Sequence, residues 1–347
     1  MRYKLISLVF VFFFIASCTP DTETTNQYTG TQGVIFDFSQ NTPPDRVYTG
    51  QEMYVAFDLH NRGAFSLDES YPGLITLSYD EFYFSSSEGI NIGGEEVKQG
   101  YFIIDGKQTG LPSGGREFSQ LGSLTTSDMP GERESATTNL RASICYPYTT
   151  FYSDQFCIDT NVFEESEDDV CRSGGRRSYG GGQGGPVSVH SVNPTMIPAG
   201  IEPGGETVIR TVIDEAGEFI GYEEGEVETE MFIVQPSFDI EVRNRGGGQA
   251  FYYGSDSRRA EDVSTEEACM GDDRDLNRVR IDAYLDNDRL ECENDYLRLE
   301  NGRAETRCYL PRNDLYASAT SYLSNLNIDL VYFYSETRSK EVEIRRS

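Results

Sequence analysis

Cysteine offers the most chemistry in this 347-residue chain, at Cys18, Cys145, Cys157, Cys171, Cys269, Cys292 and Cys308. The spacing is wrong for zinc. No two cysteines form the C-x₂₋₄-C pair that two thiolate ligands need, and within the later clusters the gaps hold eleven, thirteen, twenty-two and fifteen residues. The two histidines, His60 and His190, have no cysteine or acid nearby at ligand spacing, so each reads as a surface or capping residue rather than a base. Gly180-Gly181-Gly182-Gln183-Gly184-Gly185 satisfies G-x-G-x-x-G. It follows Arg176-Arg177-Ser178-Tyr179 and opens a strand pattern, whereas a dinucleotide loop follows a strand and opens a helix. G-x-S-x-G, H-E-x-x-H and the phosphate-binding loop are absent. No catalytic residue emerges, and the expectation is a protein without catalytic activity.

The acidic residues come next. There are 58 against 29 basic ones, a formal charge of −29. That balance excludes nucleic acid as a partner and docking on anionic lipid through a basic face. Clusters at Glu164 to Asp169, Asp272 to Asp275 and Asp286 to Asp288 are of the kind that supplies oxygens to calcium. An EF-hand is ruled out. Asp273, Asp275 and Asn277 have its opening spacing, but Arg278 stands where glycine is needed and Tyr284 where the bidentate glutamate belongs. Asp282, Asp286 and Asp288, beside one hairpin turn, remain the calcium candidates, against a plain solvated loop. Arg172, Arg176 and Arg177 follow the first acidic run and are expected to pair with it. The 22 tyrosines include Tyr146, Tyr148 and Tyr152 near one cysteine, Tyr252-Tyr253, and Tyr332 and Tyr334. With no tryptophan in the chain, they are expected to fill and flank the core.

Residues 1–17 set the expected place of these groups. Arg2 and Lys4 precede an apolar run from Leu5 to Ile15, too short to span a bilayer and suited to a signal peptide. The run ends in Ile15-Ala16-Ser17-Cys18, which resembles the lipobox of exported lipoproteins. The resemblance implies cleavage before Cys18, lipidation of its sulfur and an anchor on the extracytoplasmic side of a cell membrane. Residues 18–32 then form a flexible tether without an aliphatic residue. With Cys18 lipidated, six cysteines remain in an oxidising compartment. They predict three disulfides among fifteen possible connectivities, with one bridge joining the two halves of the chain.

The remaining pattern is β throughout. Val34 to Phe38, Leu74 to Leu77 and Tyr101 to Ile104 are short β-branched or aromatic runs between turn residues. Met53 to Leu59 alternates, with Met53, Val55, Phe57 and Leu59 on one face. Asn301-Gly302 predicts a type I′ hairpin, and Asp286-Asn287-Asp288 another turn. No amphipathic helix longer than about two turns is visible. Phe57-Asp58-Leu59-His60-Asn61-Arg62-Gly63 matches Ile240-Glu241-Val242-Arg243-Asn244-Arg245-Gly246, one copy in each half. Two β-sandwiches are therefore expected in tandem, at 33–163 and 186–347, separated by an acidic, glycine-rich linker at 164–185.

Asn61-Arg62-Gly63, the lipobox, Cys145-Tyr146-Pro147-Tyr148 and Gly181 to Val187 resemble exported archaeal-type lipoproteins with two immunoglobulin-like, CARDB-like β-sandwich domains. The resemblance implies architecture and place rather than chemistry. The expected function is a lipid-anchored surface module for adhesion or envelope scaffolding. Its partners are the membrane, through the acyl anchor, and another envelope or surface protein met by sheet edges such as Val342 to Ile344. The alternative is an extracytoplasmic glycan or small-ligand binder, assisted by calcium.

Overall fold

The structure is a computed structural model. It describes residues 27–86, 90–92, 95–129, 131–159, 170–213, 219–253, 263–271, 274–312, 315, 317–318 and 321–347. The first half of the chain forms β1 (Val34–Phe38), β2 (Arg46–Tyr48), β3 (Glu52–Asn61), β4 (Gly73–Ser78), β5 (Phe84–Ser85), β6 (Ile90–Ile92), β7 (Glu95–Phe102), β8 (Arg116–Thr126) and β9 (Ser135–Ile158). The second half begins with β10 (Arg177–Ser178), β11 (Val187–Ile213), β12 (Phe219–Asn244), β13 (Gln249–Tyr253) and the helix α1 (Thr265–Met270). It continues with β14 (Arg274–Leu276), β15 (Arg278–Leu285), β16 (Asp288–Arg289), β17 (Glu291–Cys292), β18 (Tyr296–Arg298), β19 (Arg303–Tyr309), β20 (Ala317–Ser318) and β21 (Tyr322–Arg345).

These strands make three sheets. One outer sheet has the order β1-β3-β8-β5, and a second has β10-β11-β12-β19-β17 with β20 beside β12. Both pack on an eleven-stranded central sheet that draws strands from both halves. Its spine is the antiparallel pair β9–β21, in register from Tyr322↔Ile158 to Arg345↔Ser135. Buried side chains of all three sheets form one continuous core, from Phe57 and Leu59 through Ile144 and Ile328 to Phe238 and Ile240. Strand β3 obeys its predicted alternation, with Met53, Val55, Phe57 and Leu59 all buried.

The weak sequence repeat marks a structural one. Asn61 Nδ2 donates to the Phe65 carbonyl (2.7 Å), and its Oδ1 accepts from Gly63 N (3.0 Å). Asn244 repeats both bonds, with Gly248 O (3.0 Å) and Gly246 N (3.0 Å). Tyr146 and Tyr148 on β9 serve the first copy. Val34 N donates to the Tyr146 hydroxyl (3.1 Å) and Phe65 N to that of Tyr148 (3.3 Å). Tyr332 and Tyr334 on β21 do the same for Val187 N (3.2 Å) and Gly248 N (2.8 Å). Tyr146 lies opposite Tyr334, and Tyr148 opposite Tyr332. The four rings thus meet at the centre of the ladder, with neighbouring centroids about 6 Å apart. Burial pushes all four phenols up, Tyr334 to about 12, so each keeps its proton to donate. Glycine follows from this packing. A Cβ at Gly63 would sit 1.8 Å from the Tyr148 oxygen, and one at Gly246 2.1 Å from that of Tyr334.

Several expectations need correction. The boundary between 33–163 and 186–347 is crossed by β21, whose last residues lie between β9 and β2 of the first half. A strand of 24 residues is long enough to reach from the second half of the chain back into the first. For the same reason Val342 to Ile344 is no open edge: Val342 and Ile344 are fully buried, and Glu343 pairs with Arg46 of β2. The glycine block at 180–185 is docked rather than loose. Gly30 N donates to Gly181 O (2.8 Å), and Gly184 N to Gly30 O (2.8 Å), which also ties down the end of the predicted tether. Asn301 and Gly302 do adopt the positive φ of a tight turn, at 52° and 75°. However, β18 then joins the central sheet and β19 the second outer sheet, so the turn crosses between layers. The disulfides are Cys145–Cys269, Cys157–Cys171 and Cys292–Cys308. The first is the one bridge between halves. It pins α1 to the outer side of the central sheet beside Leu74, Phe251 and Phe333.

Equivalent geometry should carry equivalent energy. Asn61→Ala and Asn244→Ala are each expected to cost about 1–3 kcal/mol, since each strands the same buried backbone groups. Denaturant unfolding of both variants checks this. A costly change at one site and a neutral one at the other would refute the equivalence.

Candidate functional site

The predicted site residues disperse. Cys18 and the acidic residues Glu164 to Asp169 lie outside the described residues. Of the calcium candidates, Asp282 is buried and bonded to Arg280 (2.6 Å) and Arg289 (3.1 Å). Asp286 sits at positive φ and accepts from Ser324 Oγ (2.5 Å) and Asn325 N (2.9 Å). Asp288 is exposed in β16. Among the described residues no three His, Cys, Asp or Glu side chains are placed to share a metal ion. His60 Nε2 bonds to Ser113 O (2.8 Å). Arg176 and Arg177 pair away from the acidic run, with Glu241 and Asp154.

The feature that sequence reasoning missed is a ribbon. Strands β11 and β12 pair from Val187↔Asn244 out to Ile213↔Phe219. The body covers only their base. Strand β19 pairs with Ser237–Arg243 of β12, and β20 with Phe232 and Ile233. Ile197 to Gly200 are already exposed. Beyond them, among the described pairings, the two strands bond only to each other. Beyond the β20 contact, twelve residues of β11, 202–213, extend in this way, about 40 Å at the usual strand rise. The stretch carries Glu202 and Glu206 on β11 and Glu223, Glu224, Glu226, Glu228 and Glu230 on β12, against Arg210 alone. The signal was present in the sequence. Val227, Thr229 and Met231 alternate with glutamates, and the stretch Thr207 to Ile213, β-branched except for Arg210, pairs with Glu226 to Phe219.

At the ribbon's root the charges are paired. Glu241, 3% exposed, is held by Arg176 (2.6 Å), Arg243 (2.6 Å) and Arg303 (3.0 Å), and Ser191 Oγ donates to it at 3.2 Å. Burial works to raise the Glu241 carboxyl, but the hydrogen bond and charge of Arg243, with the charge of Arg303, outweigh it and hold the group below its ordinary value. Arg245 Nη2 lies 2.7 Å from His190 Nδ1. A guanidinium can only donate, so that nitrogen is the acceptor of a neutral imidazole. Burial and the Arg243 charge lower the His190 value in agreement. At the root, then, a single buried carboxylate is answered by three arginines.

Comparison with models of known protein families finds none that matches this chain, and no similar sequence is found among curated proteins.

Glu241 gives a pH prediction. Its folded value is depressed, so its contribution to stability is present above the unfolded value near 4.5 and is lost as pH falls through the folded one. Glu241→Gln is expected to cost about 1–2 kcal/mol at neutral pH, discounted because the arginines are half exposed. The loss should shrink below pH 4.5. Urea unfolding across this range checks it, and a loss independent of pH would contradict the assignment.

Proposed function

We propose that this is a lipid-anchored surface protein in which two immunoglobulin-like sandwiches, fused through a shared sheet, hold an acidic β-ribbon out to bind a partner protein. The observation that carries the reading is the ribbon itself. Two strands reaching about 40 Å, with no further strand on either edge among the described residues and dense in glutamate, are marginal alone and gain stability when a partner covers them. Strand edges recognise other proteins through backbone hydrogen bonds, and the glutamates select a basic surface. The partner is thus an envelope or surface protein with an arginine- or lysine-rich face. The apolar run ending at Cys18 supports the anchor, and three disulfides suit an oxidising compartment. The fused body supplies stiffness, which preserves the reach of the ribbon.

The ribbon can be removed without touching the core. Replacing residues 200–232 by Asn-Gly joins Ala199 to Ile233 through a two-residue turn. This variant should keep its thermal midpoint to within a few degrees. On intact cells, a carboxylate-coupling cross-linker should join the wild-type chain to one recurring surface protein. The shortened chain should lose that product. Equal cross-linking by both chains would remove the ribbon from the interface. Cys18→Ser should move the protein from the membrane to the soluble fraction, and an unchanged distribution would dismiss the lipid anchor.

A further inference from the structure

The fully buried carboxylates among the described residues are Glu241, Asp282 and Glu336, and each holds at least one arginine. Asp329 departs from this pattern. It lies half-buried on the outer side of β21, directly across from Asp282 on β15 and Phe151 on β9. Burial and the Asp282 charge both act against its ionised form, raising its pKa, and no cation offsets them. It makes no hydrogen bond or ion pair among the described residues. Asp282, its acidic neighbour, is fully occupied by Arg280 and Arg289.

The groove in front of Asp329 is aromatic. Its volume is about 610 Å³, and Tyr28, Phe151, Tyr152, Tyr179 and Asn327 line it with Asp329. Tyr28 and Phe151 meet edge to face at 6.2 Å, and Tyr152 and Tyr179 at 5.0 Å. Phe151 is 40% exposed although it stands in a strand whose neighbours Thr150 and Tyr152 are buried. The nearby Asp154 is already taken by Arg177 (3.0 Å) and the Tyr179 hydroxyl (2.5 Å). A carboxylate without a counter-ion beside Phe151, in a groove that Tyr28, Tyr152 and Tyr179 also line, has the composition of a site for an organic cation. The rings attract the cation through their quadrupoles, and the carboxylate neutralises it.

We propose that the groove formed by Phe151, Tyr152, Tyr179, Tyr28 and Asp329 binds an organic cation, either an alkylammonium or a guanidinium head group. This goes beyond the ribbon reading and does not depend on it, because the groove lies on the central sheet and survives in the ribbon-shortened chain.

The test is ligand-observed NMR on the purified full chain with three probes: tetramethylammonium, butylammonium and N-acetyl-arginine amide. At least one should bind saturably, and the preferred probe decides between ammonium and guanidinium. Asp329→Asn should weaken that probe at least tenfold and raise the thermal midpoint by about 2 °C, since it removes a charge that folding disfavours. Phe151→Ala should weaken binding several-fold. Absence of saturable binding by all three probes at tens of millimolar would overturn the proposal. So would undiminished binding in a folded Asp329→Asn variant, or a neutral disaccharide competing as well as the cations do. The ribbon-shortened chain should bind the probe as the wild type does, so a failed ribbon and a failed groove are separately visible.

Discussion

The β9–β21 ladder is the constraint from which the rest of this fold follows. β9 and β21 are strands of 24 residues each, one from each half of the chain, and they pair along their whole length. Two sheets thereby become one. At the crossing point sit four tyrosines, and a buried phenol is costly unless its hydroxyl is bonded. Here each hydroxyl meets the opening of an outer-sheet strand or the turn after Asn-Arg-Gly. The quartet therefore fixes more than the central sheet. It sets where β1 and β11 begin and how β3 and β12 leave their sheet.

The large negative charge is unevenly distributed over this frame. Inside the body, arginines answer carboxylates with close contacts, as around Glu241 and Asp282. Desolvation makes a lone buried charge costly, so this pairing is a condition of folding rather than an ornament. Asp329 stands outside the pairing scheme. Arginine in place of lysine matters here. Its planar fork reaches two acceptors at once, as Arg176 does with Ser191 and Glu241.

Much of the local structure was legible. The alternation in β3, the Asn-Gly turn, the all-β class and the two Asn-Arg-Gly caps follow from short-range chemistry that a single stretch of sequence expresses. What escaped was long-range. Nothing in Val342 to Ile344 states that its neighbours are Thr138 and Arg46, because an apolar strand fits any edge that will bury it. The domain boundary failed for that reason. The glycine block read as a linker because composition reports freedom in the unfolded chain, whereas here glycine permits close contact with Gly30. Asp282 and Asp286 are close in sequence, but in the fold they meet different partners, Arg280 and Ser324. Asp329 carried no motif at all. It emerges only when the partners of every buried acid are known.

The parallel contact of β2 with the end of β21 joins residues 297 positions apart, as in the Arg46–Glu343 ion pair at 2.8 Å. The half synthesised first is therefore the half completed last. Until the final residues are available, β9 and β2 must wait with open edges on either side of an empty slot, a surface prone to pair with the wrong strand. Any chain cut short before Tyr322 would leave the central sheet without its spine. Such a chain would be recognisable as defective by the edges it exposes, so completeness of the polypeptide becomes a condition for the fold to close at all.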